Sequence, residues 1–271
     1  MEEEAKMETN EKNIIIYIED TGAVEAIALA RSLAERISAP VTCDPAEAGA
    51  AALVLHAGQD GLWLTEGLSD KTSAWGPAVR GDFSDMRRRL APHALNRELL
   101  VRAAKIKGVE SPLVIDATAG MGEDSLLLAA AGCRVVLYER DAVIEILLAD
   151  ALRRAGSDPA LAETISRMQL VAGDSIAALR IPQETPPDVV YLDPMFPERT
   201  KSGLVKKKFQ LLHRLEAPAD DEEALLAAAI AARPQRIVIK RPLKGPYLAG
   251  RKPSYTLSGK KIRYDCIALP R

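Results

Sequence analysis

Cysteine and histidine are scarce in this 271-residue chain, and their scatter removes classes of function. The three cysteines, Cys43, Cys133 and Cys266, are odd in number and far apart, with no C-x-x-C pair. Neither a disulfide framework nor a zinc site is supported, so the expectation is a reducing cytoplasm and no metal. The three histidines, His56, His93 and His213, are equally scattered. No apolar run approaches the roughly 18 residues of a membrane span, and no membrane partner is expected. The first twelve residues are acidic and polar, the opposite of a signal peptide, and are expected to form a loose tail. Excess charge of one sign is also missing. At a net charge of −2 no global basic field advertises a nucleic-acid partner, so local clusters must do so. What is plentiful is apolar material, 48% of residues, enough for a real core in one large domain or two smaller ones.

Asn13–Glu19 reads N-I-I-I-Y-I-E, a buried strand, and Gly22–Ile37 sets Val24, Ile27, Ala28, Leu33, Ala34 and Ile37 at helical spacing. A short strand near Val41 follows, then the runs Ala52–Ala57 and Leu62–Glu66 across G-Q-D-G, a hairpin pattern. Residues 1–80 are expected to be a small N-terminal α+β domain without a catalytic constellation. Residues 81–111 differ in character. Over Gly81–Lys107, Arg87, Arg88, Arg89, His93, Arg97, Arg102, Lys105 and Lys107 outnumber the acids Asp82, Asp85 and Glu98. This basic helical connector is either a solvated face or a phosphate-facing surface.

Residues 112–271 alternate strand and helix. Strands are expected at Leu113–Ala117, Arg134–Glu139, Met168–Ala172, Val189–Leu192 and Arg236–Lys240. Helices are expected over Glu123–Ala131, from the N-cap Asp141 to Ala155, and over Asp221–Ala232. Ser254–Leu257 and Ile262–Leu269, joined by S-G-K-K, read as an antiparallel hairpin. The alternation implies a parallel sheet with right-handed crossovers. Two strand ends hold the chemistry. The first is Leu113–Gly122, L-V-I-D-A-T-A-G-M-G, and the second is Val189–Pro197, V-V-Y-L-D-P-M-F-P. Ligands of open α/β sheets bind outside such carboxyl ends, so both stretches aim at one crevice.

In the first stretch, Gly120 and Gly122 let backbone approach a ligand, and the helix behind them offers free N–H groups. A lone G-x-G also occurs where a helix merely packs on a strand. Three acidic strand ends add weight. Asp116 ends strand one, Glu139 ends strand two where it can accept ribose hydroxyls, and Asp174-Ser175 follows strand three where they can meet adenine. Asp124 is placed for a methionine moiety, or is simply a favourable charge at a helix N-terminus. This acidic set suits S-adenosylmethionine, which is cationic and has no pyrophosphate. A dinucleotide site would want a third glycine where Ser125 stands, and its pyrophosphate would be repelled.

In the second stretch, Asp193-Pro194-Met195-Phe196 resembles the D/N-P-P-Y/F signature of enzymes that methylate exocyclic amines of bases. Such an amine has its lone pair delocalised and is a poor nucleophile. The Asp193 carboxylate and Pro194 carbonyl can accept its hydrogens and aim the nitrogen, while Phe196 offers a stacking ring. The bland alternative is a strand that ends at D-P. Directly after it come Arg199, Lys201, Lys206, Lys207 and Lys208, and strand five ends in Lys240-Arg241. These cations suit an RNA backbone or are ordinary solvated Lys-rich faces.

The terminal hairpin resembles the antiparallel edge of class I, Rossmann-like methyltransferases rather than dehydrogenases. More specifically, D-A-T-A-G-M-G-E-D (Asp116–Asp124), the segment Gly132–Arg140, Y-L-D-P-M-F-P (Tyr191–Pro197), K-S-x-L-V-K-K (Lys201–Lys207) and V-I-K-R-P (Val238–Pro242) resemble the ribosomal RNA small subunit methyltransferase J family. The likeness covers residues 81–271 and makes 112–271 the methyltransferase domain. It implies methyl transfer from S-adenosylmethionine to the 2-amino group of a guanine near the 3′ end of 16S rRNA, position 1516 in rRNA numbering. The partner would be 16S rRNA in the small ribosomal subunit or its precursor. Cofactor contacts would fall on Glu123, Asp124, Glu139, Arg140, Asp174, Ser175 and Asp193; the candidate RNA contacts are Arg87, Arg88, the cations that follow the second stretch, Lys240 and Arg241. Glu123 and Asp174 depart from the basic residue and the serine common at those positions. Methylation of another RNA or DNA amine, and a non-catalytic assembly protein, remain open alternatives at this point.

Overall fold

The computed structural model describes residues 13–22, 24–68, 75–182, 184–194, 211, 215 and 221–270. They fall into two compact units. One holds the described residues of Met1–Gly81, Asp141–Arg154 and Glu198–Ala217, the other those of Asp82–Arg140, Ala155–Pro197 and Pro218–Arg271.

In the first unit, β1 (Ile14–Ile18), β2 (Val41–Thr42), β3 (Leu53–Gly58) and β4 (Gly61–Glu66) form a sheet in the order β2-β1-β3-β4. β1 runs parallel to both its neighbours, and only β4 is antiparallel. The expected hairpin closes at Gly58 opposite Gly61, whose φ of +106° suits a residue without Cβ. The Val24–Ile37 helix buries Ala26, Ala30, Leu33 and Ile37. Val24, expected on that face, is the first helical residue and stands 77% exposed. His56 lies stacked on Trp63 and edge-on to Tyr17 and Trp75. Burial pulls its pKa down to about 4, so it is a neutral core ring rather than an acid or base at neutral pH. The Asp141–Arg154 segment belongs here too. Asp141 Oδ1 accepts the N–H groups of Val143 and Ile144, which satisfies two orphan donors of its helix. Asp150 accepts the Leu62 N–H and pairs with Arg153 and Arg154.

The second unit is built on seven strands: β5 (Leu113–Asp116), β6 (Arg134–Glu139), β7 (Met168–Ala172), β8 (Val189–Leu192), β9 (Arg236–Pro242), β10 (Tyr255–Ser258) and β11 (Ile262–Ala268). Their order is β10-β11-β9-β8-β5-β6-β7. β5 to β9 are mutually parallel, and β11 joins β9 antiparallel, as β10 joins β11. The chain winds outward from β5 through β6 to β7, then returns to β8 on the other side of β5. That reversal is the topological switch point, where an α/β sheet opens a crevice. The Glu123–Ala130 helix buries every residue from Ser125 to Ala129, so it is a core element rather than an amphipathic cover. Truncating one of its leucines should cost about 2–5 kcal/mol through lost transfer energy and a cavity. A second cluster, Leu225, Leu226 and Ala229 against Ile237 and Ile239, clamps the Glu222–Ala231 helix to the sheet. Short helices at Ser84–Met86, Arg87–Leu90, Pro92–Leu95 and Leu99–Ala104 make up the basic connector. Among the described residues no helix is long and apolar enough to cross a membrane.

Candidate active site

The switch point brings together the ends of β5, β6, β7, β8 and β9. After β5 the chain turns through small residues into the Glu123–Ala130 helix, with Gly120 at φ +51° and Gly122 at φ +76°. Both lie in the left-handed region that L side chains avoid. A Cβ on Gly120 would meet nothing within 4 Å, so open space flanks the backbone there. The turn is laced to its neighbours: Gly120 N–H donates to Glu139 Oε2 at 2.9 Å, and Ala119 N–H to the Tyr138 carbonyl at 3.1 Å. No side chain caps the helix that follows Gly122.

Asp116, expected among the cofactor contacts, is only 1% exposed. Its Oδ2 accepts from the Ser125 hydroxyl at 2.6 Å, and its Oδ1 accepts from the Thr118 N–H at 3.1 Å. It staples the turn to the first turn of the helix from beneath. Burial pushes its pKa up to about 7, and those two donors pull against the rise.

Glu139 closes β6 and is 7% exposed, with its carboxylate on the glycine turn. Gly173 N–H donates to the Glu139 carbonyl at 2.9 Å, which ties the end of β7 to that of β6. The exposed Asp174 caps the Ser175–Arg180 helix, its Oδ1 accepting from Ile176 N–H at 2.9 Å, and Ser175 lies buried beside it. Glu123 is exposed. Arg140, another expected cofactor contact, pairs with Asp221 at 2.9 Å.

The end of β8 meets the turn directly. Asp193 N–H donates to Thr118 Oγ1 at 2.7 Å, and Ala117 N–H donates to the Tyr191 carbonyl at 3.0 Å. Pro194 is buried next to it. Lys240 on β9 sends its Nζ to Asp193 Oδ2 and to Asp124 Oδ2, each at 2.8 Å. The buried Tyr191 hydroxyl donates to the same Asp124 oxygen at 2.6 Å. Burial works against charge on Lys240, but the Asp193 and Asp124 carboxylates outweigh it and hold the ammonium above its usual range. For Asp193, burial raises the pKa, Lys240 opposes the rise, and Asp124 adds to it.

Four residues of this arrangement escaped the sequence reading in these roles: Thr118, Ser125, Tyr191 and Lys240. Tyr191 and Asp193 alternate on one side of β8, a spacing that would have indicated Tyr191.

The expected RNA-facing cations are distributed unevenly. Arg88 is exposed, and Arg87 is exposed and paired with Asp158. Arg241 corrects the expectation. Its side chain is fully buried, with Nη1 on Glu222 Oε1 and Nε on the Pro246 carbonyl, each at 3.0 Å, so it cannot meet a phosphate. Strand alternation is the reason, since Lys240 and Arg241 must point to opposite faces. Phe196, Arg199, Lys201, Lys206, Lys207 and Lys208 lie outside the described residues.

The residues present fit S-adenosylmethionine. Open space beside Gly120 admits a ligand against the backbone, and Glu139, Asp174 and Asp124 supply acceptors for hydroxyls and for cationic groups. Comparison with known proteins agrees. The family model of SAM-dependent methyltransferases matches residues 44–268. A ribosomal RNA small subunit methyltransferase J from Thioalkalivibrio sulfidiphilus is 44% identical over 239 residues, 87% of this chain and 91% of that protein. Its counterpart in Pseudomonas fluorescens is 42% identical over 253 residues, 92% of this chain and 93% of that protein. The crystal structure of a SAM-dependent methyltransferase from Neisseria gonorrhoeae superimposes with a TM-score of 0.69 at 30% identity, covering 94% of this chain and 95% of that one. The chain belongs to the ribosomal RNA small subunit methyltransferase J family, a family of S-adenosylmethionine-dependent enzymes.

Proposed function

We propose that this protein methylates the exocyclic 2-amino group of a guanine near the 3′ end of 16S rRNA, position 1516 in rRNA numbering, in the small ribosomal subunit or its precursor in the cytoplasm. The observation that supports this most is the Asp193-Pro194 strand end, held 2.7 Å from Thr118 in the cofactor turn. The strand end read as the amine acceptor site therefore adjoins the turn read as the cofactor site.

S-adenosylmethionine supplies an electrophilic methyl group whose bonding pair stays on sulfur. The chain's own residues do the rest. Asp193 and the Pro194 carbonyl accept the two N–H hydrogens of the amine, orient its lone pair and stabilise the positive charge that develops on nitrogen. The surplus proton passes to Asp193 or to water. Glu139 accepts the ribose hydroxyls, Asp174 and Ser175 meet the adenine edge, and Gly120 and Gly122 bring backbone against the ligand. Asp124 faces the methionine ammonium, with Glu123 and Arg140 at the rim, and Asp116 contributes from below by fixing the turn. Phe196 stacks on the base. Arg87, Arg88, Arg199, Lys201, Lys206, Lys207 and Lys208 follow the RNA backbone.

The test is methyl transfer from labelled S-adenosylmethionine to small subunits that lack the modification, with the labelled nucleoside identified by mass. N2-methylguanosine at a single site near the 3′ end is the expected product. A labelled adenosine would move the acceptor to another base. Cofactor binding with no labelled nucleoside would leave an RNA-binding assembly protein.

A further inference from the structure

We propose that Lys240 is a positioning residue for the transfer: its ammonium bridges Asp124 and Asp193 and holds the Asp193 carboxylate ionised and aimed at the base amine. The inference rests on the methyl-transfer reading above, and it removes Lys240 from the RNA-facing cations.

The fold dictates the bridge. β9 runs parallel to β8 with Leu192 opposite Ile239, so one further step sets Lys240 alongside Asp193. A lysine ammonium has three donors, and two are spent here on carboxylates at 2.8 Å. Its side chain is only 26% exposed, which leaves little of it for a phosphate.

Electrostatics gives the bridge its purpose. Each carboxylate oxygen sits 2.8 Å from the same nitrogen, so the two are less than twice that distance apart. Two carboxylates sharing so small a site cannot both stay ionised without a cation. The other described groups that bear on Asp193 do not replace it. Tyr191 on β8 and Tyr264 on β11 are phenols kept neutral by burial and by the neighbouring carboxylates, Asp116 on β5 is another acid, and Arg241 on β9 is committed to Glu222. An Asp193 that has taken up a proton becomes a hydrogen-bond donor. It then loses acceptor capacity for the amine N–H, and the strand end no longer orients the nucleophile.

Lys240→Met and Lys240→Arg, measured beside the wild type, test this. Methyl transfer by Lys240→Met at neutral pH should fall about 100-fold in kcat, on the scale of losing the Asp193 carboxylate as the acceptor that stabilises developing charge. The acid limb of its kcat–pH profile should move up by about one pH unit or more. Lys240→Arg should restore much of the rate and the original acid limb. Infrared titration of the cofactor-free protein, read as the difference between each protein and its Asp193→Asn counterpart, should show the Asp193 carboxylate protonating at higher pH in Lys240→Met. An unmoved acid limb and unmoved infrared midpoint, with KM for the subunit raised and kcat intact, would overturn the proposal and make Lys240 a phosphate contact. If the wild type itself transfers no methyl group, the functional reading fails while the infrared titration still decides whether the bridge exists.

Discussion

Asp116→Asn should remove a pH dependence of stability, leaving stability little changed near pH 4 and raising it above the wild type as pH rises. The Asp116 carboxyl is 1% exposed, and its pKa is pushed from 3.8 in the unfolded chain to about 7 in the fold. A raised pKa means that the folded state binds the proton more tightly than the unfolded state does. Its stabilising contribution is therefore complete below the unfolded value and is lost as pH rises through the folded one. At about 1.4 kcal/mol per pKa unit, the window is worth roughly 4 kcal/mol. Asparagine keeps an acceptor for the Thr118 N–H and places an amide on Ser125, whose hydroxyl can turn to accept it. It does not titrate. Urea unfolding of both proteins between pH 4 and pH 8 should show the wild type losing stability relative to the variant by about that amount. In a melting experiment this is a relative shift of roughly 10 °C. A stability difference that stays flat with pH would refute the reasoning, because it would mean that Ser125 and Thr118 fully offset the burial of an ionised Asp116. Ser125→Ala supplies an internal check. It removes a donor that favours the ionised form, so the upper edge of the window should move to higher pH.

The remaining predictions concern binding and catalysis. Asp193→Ala should lower single-turnover methyl transfer by about 100-fold or more, with cofactor affinity in calorimetry little changed. A fully active variant would remove the Asp193 assignment. Glu139→Ala should weaken S-adenosylmethionine about 10- to 100-fold, because it loses hydrogen bonds to a charged acceptor and loosens Gly120. An unchanged dissociation constant would end the proposed ribose role. Reversing Lys206, Lys207 and Lys208 to glutamate should weaken RNA binding and flatten the logarithmic salt dependence by about two. A slope equal to that of the wild type would return these lysines to an ordinary solvated face.

Much of the second unit was legible because its strands are short and apolar and alternate with helices. β6, β7 and β8 occupy the expected residues, and in the first unit the Asp141 cap was readable as a side chain that accepts two N–H groups. The six-residue helix after Asp174 escaped notice, since it is too short to show a period, although its capping aspartate was visible. The parallel pairing of β1 with β2 and β3 was not readable either, because periodicity identifies a strand without naming its neighbour. The same limit hid the Lys240 bridge. From sequence, Lys240 and Arg241 are two cations at a strand end. Register puts the first beside Asp193, and alternation sends the second into the core against Glu222. Alternation was available in the sequence and argues against giving both residues one role.

The bridge also reconciles two demands that pull against each other. S-adenosylmethionine carries a net positive charge and its demethylated product does not, so an acidic crevice favours the loaded cofactor over the spent one. The RNA that brings the base is a polyanion, which the same acids repel. With Lys240 protonated, the trio of Asp124, Asp193 and Lys240 carries one negative charge in place of two. Enough acidity remains to distinguish the two cofactor states, while repulsion toward an approaching phosphate is about halved at equal distance. Lys240→Met should therefore leave cofactor affinity little changed, because the Asp193 that takes up a proton keeps the pair at one negative charge, while it slows transfer. A substitution that merely unfolded the site would weaken both, so retained cofactor affinity beside slowed transfer separates a positioning residue from a structural one.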